Sequence, residues 1–150
     1  MSDSITIRPY SNSDKETVID LLQLNTPTYF SPDEEKDLIS YLEHEIESYF
    51  VLEVNDQLVG SGGINYSNDK TIGIISWDLF HPDFQGKSLG SQLLNYRIDL
   101  LKNNSAIQRI TVRTSQLVYP FYEKLGFKLL EVVEDYWAPG FHLYAMEYKM

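Results

Sequence analysis

The run "HPDFQGKSLG", from His81 to Gly90, collects residue types suited to phosphate. Gly86, Ser88, Gly90 and Ser91 are small enough for a backbone to approach a ligand closely, and Lys87 is cationic. The apolar spacing that follows opens a helix, whose free N–H groups and positive dipole end suit a diphosphate. Gly86-Lys87-Ser88 looks like the end of a nucleotide-binding P-loop. That motif, Gly-x-x-x-x-Gly-Lys-[Ser/Thr], needs its first glycine at position 81, and the residue there is His81. The nucleotide-loop reading fails. Two readings stay open on these residues alone: a cradle for another phosphorylated ligand, and a plain helix start with Lys87 in solvent.

Composition narrows the chemistry. The chain has no cysteine, which excludes disulfides, thiolate zinc sites and a cysteine nucleophile, so an acyl group cannot pass through a thioester on the protein. His44 and His142 have no metal-like spacing, and no metal is expected. With 22 acidic and 12 basic residues the formal net charge is -10. Nucleic acid is therefore not an expected partner, whereas a cationic substrate such as an amine is favoured on approach. The plainer reading of the charge is a set of solvated acidic faces. The N-terminus has neither a basic nor an apolar leader region, and no apolar run reaches membrane-spanning length. The expectation is a soluble, cytoplasmic protein that does not bind membranes, a monomer or a homodimer. Its 150 residues, 43% hydrophobic, form one domain over 1–150 that buries about two thirds of its unfolded surface.

The elements that would position the loop follow from the alternation of periods two and 3.6. Ile5 to Arg8 reads as a strand, and Ser13-x-x-Glu16 as a capping box before the stripe Val18, Leu21, Leu22. Ser31-Pro32-Asp33-Glu34 opens a second helix with Leu38, Ile39, Leu42 and Ile46 inside; its "DEEKD" run suits the positive end of the helix dipole. "YFVLEV" and "QLVGSGGINY" are strands joined by a tight turn at Asn55-Asp56. Gly60, Gly62 and Gly63 point to a bulge or close backbone packing there, with a ligand-facing role as the lesser reading. "TIGIISWDLF" is a strand entering the loop, and Leu89, Leu93, Leu94, Leu100 and Leu101 mark the helix after it. "IQRITVRT" is a strand, "LVYPFYEKLG" a short helix closed by Gly126, and "FKLLEVVEDYW" and "FHLYAMEYKM" are the last two strands. The order is β-α-α-β-β-β-α-β-α-β-β, with no linker or repeat.

Two segments in this order resemble the GNAT acetyltransferase superfamily. Its acetyl-CoA loop reads Arg/Gln-x-x-Gly-x-Gly/Ala, and Phe80 to Gly90 runs in step with it, except that Ser88 replaces the first signature glycine. If that position needs φ > 0, Ser88 is strained; if it needs only smallness and a free N–H, serine serves. Phe121-Tyr122-Glu123-Lys124-Leu125-Gly126-Phe127 is similar to the family's "FYEKLGF" segment. The likeness spans about Ile5 to Met146. It implies an α+β fold, an α/β/α sandwich with a mixed, mostly antiparallel sheet flanked by helices. The strands ending near His81 and Thr114 would splay apart and admit acetyl-CoA. Pantetheine would bond to backbone of Leu79, Phe80 and His81, and pyrophosphate to amides of Gln85, Gly86, Lys87, Ser88, Leu89, Gly90 and Ser91. Ser115, Tyr119, Phe121, Tyr122 and Lys124 would form the other wall.

The activity implied is direct acetyl transfer from acetyl-CoA to a primary amine, on a small molecule or a protein. Tyr122 matches the family's proton donor to the leaving thiolate, or else only packs its helix. A lysine-like amine stands about 4–5 kcal/mol from its neutral form at pH 7, so a base is needed. "TIGIISW" and "RITVR" hold no carboxylate. Asp78 is the nearest acid and the candidate base, although a strand residue bonded to a neighbour is the plainer reading; Glu53 is a further candidate. The alternative function is a non-catalytic acetyl-CoA-binding or sensing module on the same fold.

Overall fold

The structure, a computed structural model, describes residues 3–84 and 88–150. The elements are β1 (Ile5–Pro9), α1 (Lys15–Leu24), α2 (Glu34–Ser40, prolonged by a π-helical turn Tyr41–Glu45), β2 (Ser48–Val54), β3 (Gln57–Tyr66) and β4 (Ile72–Phe80). They continue with α3 (Leu89–Lys102), β5 (Arg109–Thr114), α4 (Tyr119–Lys124), β6 (Phe127–Ala138) and β7 (Phe141–Tyr148). This is the expected order. None of the described helices is long and apolar enough to cross a membrane.

Seven strands form one sheet in the order β1-β2-β3-β4-β5-β7-β6. Every neighbour is antiparallel except β4 and β5, which run parallel. Helices cover both faces. Val18, Leu21, Leu22 and Leu38 of α1 and α2 pack on Tyr49, Val51 and Leu79. On the other face Leu93, Leu94, Ile98 and Leu101 of α3, with Tyr122 of α4, pack on Leu52, Ile64, Ile75 and Val112. Leu100 of that helix faces solvent, and the helical phase puts Arg97 and Ile98 inside with Leu93, Leu94 and Leu101. The first capping box is likewise Ser11 with Asp14, whose carboxylate accepts the Ser11 N–H at 2.9 Å, rather than Ser13 with Glu16. The Ser31–Glu34 box forms, with the Ser31 N–H on Glu34 at 2.8 Å. Asn55 and Asp56 both take positive φ, which gives β2–β3 the tight turn expected. β6 is an edge strand, exposed from Lys128 to Tyr136.

Two irregularities in β4 set up the site. The parallel pairing with β5 ends at Ile75 opposite Val112, although β4 runs on to Phe80 and β5 to Thr114, so the sheet opens beyond that point. The antiparallel pairing with β3 slips over the same residues: Gly63 faces Ser76 but Ser61 faces Leu79, which leaves Trp77 and Asp78 against Gly62 alone. Such a bulge re-aims side chains. Trp77 sits at φ +49, a conformation that costs a bulky residue about 1–3 kcal/mol. Its carbonyl accepts the Tyr49 hydroxyl at 2.8 Å, and its ring stacks on Phe30 and tilts against Tyr41. Those contacts hold the strained residue on the α2 face and turn Asp78 to the α3 face.

There Asp78 meets Arg97, a completely buried arginine whose Nη2 donates to Asp78 Oδ1. Arg97 Nη1 donates to the Gly63 carbonyl at 3.1 Å and Nε to the Leu93 carbonyl at 3.2 Å. Gly62 makes room for the pair. A Cβ there would lie 2.2 Å from Asp78 Oδ1 and 2.7 Å from Arg97 Nη1. Breaking a buried ion pair costs about 3–5 kcal/mol, because the charge left behind stays desolvated. Gly62→Ala should therefore lower unfolding free energy by about 3 kcal/mol or more. Gly140→Ala, where φ is +84 but nothing stands within 4 Å, should lose only about 1–2 kcal/mol. Urea unfolding of the two variants measures the difference; equal losses would show that the pair is not wedged against Gly62.

Candidate active site

Where β4 and β5 part, a cleft of about 730 Å³ opens across the sheet. Asp78, Ser115, Val118 and Tyr122 line it on the α3–α4 side, and Phe30, Glu34, Asp37, Tyr41 and Trp77 on the α2 side. Trp137 and Phe141, from the β6–β7 hairpin, complete the wall. A smaller depression of about 480 Å³ near Arg8, Asp14, Glu53 and His81 lies elsewhere, around an ion cluster in which Arg8 bonds Asp14 at 2.9 Å and Glu53 at 3.2 Å. Glu53 is thus held by Arg8 outside the cleft, and its place as an inward-pointing base is withdrawn.

Tyr122 is buried, and its hydroxyl donates to Asp78 Oδ2. Asp78 is therefore shared: one oxygen serves Arg97, the other Tyr122. Burial first, and then the adjacent carboxylate, push Tyr122 well above the ordinary tyrosine value. Asp78 keeps 11% of its side chain exposed, on the cleft side. The geometry thus places a carboxylate and a phenol in direct hydrogen-bond contact at the cleft wall, with a buried cation behind them.

The remaining loop and wall residues fall as follows. Leu79 is buried in the α1–α2 core. The Phe80 carbonyl accepts the Asn25 side-chain amide at 2.8 Å, and the His81 N–H donates to the Val59 carbonyl at 2.8 Å, so two of the expected pantetheine-bonding groups already have partners within the chain. Gln85, Gly86 and Lys87 lie outside the described residues. Ser88 stands at φ +62, ψ +15, the left-handed conformation that favours glycine, and leads into α3. The Ser88 carbonyl takes the N–H of Gln92 at 3.0 Å, so the N–H groups of Leu89, Gly90 and Ser91 precede the first intrahelical bond. The Leu89 side chain is core, and Gly90 lies under the Phe121 ring, where a Cβ would meet it at 3.2 Å. Phe121 thereby ties α4 to the start of α3. Ser115 is buried; its Oγ accepts the Leu117 N–H at 3.2 Å, and its carbonyl accepts the N–H groups of Val118 and Tyr119. Tyr119 packs on Tyr144, and Lys124 is exposed.

Sequence reasoning missed Arg97. Its signal was present: Leu93, Arg97 and Leu101 are four residues apart, so a charge stands in the middle of an apolar stripe. It also missed Glu34 and Asp37, read as part of a solvated first turn. Both line the cleft, and Glu34 is buried. Burial raises Glu34 above the usual glutamate range, although the Ser31 N–H works the other way.

Comparison with known proteins agrees with this architecture. The family model "Acetyltransferase (GNAT) family" matches residues 17–127. A protein of Pyropia yezoensis named "Uncharacterized N-acetyltransferase ycf52" is 36% identical over 76 residues, 50% of this chain and 42% of that protein, so under half of the relative's length is matched. Among solved structures, the loading GNATL domain of CurA from Lyngbya majuscula superposes with TM-score 0.82 at 14% identity, covering 97% of this chain and 98% of that one. An aminoglycoside 6'-N-acetyltransferase complexed with coenzyme A gives 0.74 at 18%, covering 95% of each. At such identities the structural likeness is one of fold, and the family model carries the assignment. A model match over most of the chain, on a sheet that opens between its one parallel strand pair, shows that this chain belongs to the GNAT acetyltransferase family.

Proposed function

We propose that the protein is an N-acetyltransferase that moves an acetyl group from acetyl-CoA directly to a primary amine. The observation that supports this best is the opening of β4 from β5 directly over the Asp78–Tyr122 pair. The residues present fit acetyl-CoA. Amides of Leu89, Gly90 and Ser91 at the start of a 14-residue helix suit the diphosphate, and Gly90, without a Cβ, keeps that end of α3 close beneath Phe121. Gln85, Gly86 and Lys87 remain candidates for the same role from the sequence. Ser115 and α4 would bound the other side. Acetyl-CoA supplies the acetyl group as a thioester, already activated toward an amine.

The chain's own residues then have a proton to move. A thiol has a reference pKa of about 8.5 and tyrosine about 10. Tyr122, pushed higher still, is too weak an acid to protonate a leaving thiolate and remain a phenolate beside Asp78. A relay removes that difficulty. Asp78 takes the proton the acceptor nitrogen loses, Tyr122 gives its proton to the sulfur, and the proton on Asp78 passes across their hydrogen bond to the phenolate. Atoms and charge balance for an amine that has first lost its ammonium proton to water, and no buried phenolate persists. Arg97 holds Asp78 in place before the transfer.

General acid–base catalysis contributes about 10²- to 10⁴-fold. Tyr122→Phe and Asp78→Asn should each lower kcat by an amount in that range with CoA affinity nearly unchanged, and the double variant should be no worse than the poorer single, because a relay fails as a unit. Melting temperatures separate this from unfolding. Effects that multiply in the double variant would break the relay. The proton must be on Tyr122 for the step, and its raised pKa keeps it there, so kcat should not decline as pH rises through about 10. A decline centred in the ordinary tyrosine range would contradict the buried pair.

The non-catalytic alternative predicts CoA binding without thiol release for any amine. CoA should bind with protection against thermal unfolding, and ATP much less. Ser88→Gly should keep or improve CoA affinity and add about 1 kcal/mol of stability by relieving the left-handed backbone. A large loss of affinity would instead make the Ser88 hydroxyl a phosphate ligand.

A further inference from the structure

Where β5 ends, the β6–β7 hairpin loses a neighbour. β5 pairs with β7 from Thr111 opposite Glu147 to Thr114 opposite Tyr144, and there the chain turns away toward α4. β7 begins earlier, at Phe141, so its first three residues have no strand on their β5 side among the described residues. Their pairing with β6 is itself irregular between Val133 and Ala138. This overhanging tip nevertheless carries Trp137 and Phe141, which line the cleft. A strand end with open N–H and C=O groups and few packed neighbours opens easily, and a wall of the cleft built on it needs an anchor.

Gln116 supplies one. The register that sets Thr114 opposite Tyr144 would bring position 116 opposite His142. The backbone has left the sheet by then, since the Ser115 carbonyl already accepts the N–H groups of Val118 and Tyr119. The side chain takes over the ladder. Gln116 Oε1 accepts the His142 N–H at 2.9 Å, and its Nε2 donates to the Gly140 carbonyl at 2.7 Å. One amide thus offers the hairpin the donor and the acceptor that a neighbouring strand would offer. Two further bonds run the same way: Trp137 Nε1 donates to the Thr114 carbonyl at 3.1 Å, and Arg113 Nη2 to the Tyr136 hydroxyl. Within the tip, the Asp135 N–H donates to His142 Nδ1 at 2.9 Å, and Asp135 Oδ1 accepts the Gly140 N–H at 2.8 Å. The tip is braced inside itself, and Gln116 fastens it at two points to the start of α4.

We propose that Gln116 is a positioning residue for the acceptor: it latches the β6–β7 tip to the segment leading into α4, and so fixes Trp137 and Phe141 on one wall of the cleft relative to Tyr122 on the other. This rests on the acetyltransferase reading and names a residue on which the acceptor's wall depends. A side chain suits the task better than backbone. Backbone pairing at position 116 would keep β5 in the sheet, and α4 could not then bring Val118 and Tyr122 to the cleft. The amide lets the chain leave while the hairpin stays fastened. CoA binding is independent of the latch, because the start of α3 meets α4 through Phe121 and not through the hairpin.

The test uses the full chain and Gln116→Met, which removes both bonds at nearly constant volume. The chain has two tryptophans, so NMR gives two indole N–H signals, assigned with Trp137→Phe. In Gln116→Met the Trp137 indole proton should exchange with solvent at least about fivefold faster, while that of Trp77 keeps its rate. Thiol release is followed with butylamine, tyramine and glycinamide as probe amines. For each probe that wild type acetylates, KM for the amine should rise about five- to tenfold, the cost of ordering one or two wall side chains on binding, with kcat changed less than about twofold. CoA affinity should stay constant and the melting temperature within about 3 °C. Gln116→Glu, which keeps an acceptor for His142 and loses the donor to Gly140, should fall between wild type and Gln116→Met. Unchanged Trp137 exchange, or a fall in kcat with KM unchanged, would overturn the latch and leave acetyl transfer intact. No thiol release from wild type with any probe would count against the transferase reading, and the indole exchange would then decide the latch alone.

Discussion

Arg97 sends a guanidinium into the interior between α3 and the sheet, where an uncompensated charge would cost several kcal/mol, and the carboxylate that meets it is Asp78. Much of the local architecture is a condition for that meeting. α3 must be in phase to aim position 97 inward, β3 must lack a side chain at Gly62, and β4 must slip by one residue so that Asp78 rather than Trp77 turns to α3. The slip forces Trp77 into a left-handed backbone. Tyr49 of β2, Tyr41 of the turn that prolongs α2, and Phe30 of the loop before α2 hold it there, all outside the pair itself. One ion pair thus ties together β2, β3, β4, α2 and α3.

The same pair fixes what the cleft can do. Asp78 spends one oxygen on Arg97 and offers the other to Tyr122, so phenol, carboxylate and guanidinium form a chain from the cleft wall to the core. The raised pKa of Tyr122 follows from that placement, because burial and a neighbouring negative charge both disfavour phenolate. A tyrosine free in the cleft would titrate lower and could act alone. This one is bound to a carboxylate, and the proposed transfer needs both groups.

Legibility in the sequence divides along physical lines. Element order and the two helix-covered faces follow from periods that burial imposes on side chains, and these were readable from runs such as "YFVLEV" and Leu93–Leu94. The glycine-favouring conformation at Ser88 was posed by the departure from the motif, and φ +62 answers it: the position is left-handed, and serine occupies it regardless. What could not be read is long-range. Nothing local to Gly62 says that an ion pair fills its missing Cβ, and nothing near Glu53 says that Arg8, 45 residues away, holds it. Capping boxes are ambiguous at a shift of two residues when serines stand at 11 and 13, and the partly buried Asp14–Arg8 contact chose between them. "DEEKD" reads as a solvated turn because a helix start tolerates acids anywhere on its circumference; only the packing of α2 over the split sheet puts Glu34 and Asp37 on the cleft.

Two of the residues with left-handed backbone, Trp77 and Ser88, stand in β4 and at the start of α3. Their circumstances differ. Trp77 is braced by a hydrogen bond to its carbonyl and by two rings, so its strain is offset within the fold. Ser88 makes no side-chain cap bond to its helix, and its local cost of about 1–2 kcal/mol has no comparable brace among the described residues. Strain that persists without local compensation is usually held by function. At Ser88 the proposed function is anion binding by the amides that follow, for which the turn must deliver the chain into α3 with its first N–H groups free. Trp77 carries the other half of the same logic, since its bulge sets both the aromatic floor on one face and Asp78 on the other. A backbone relaxed at either place would keep the sheet but lose an edge of the cleft.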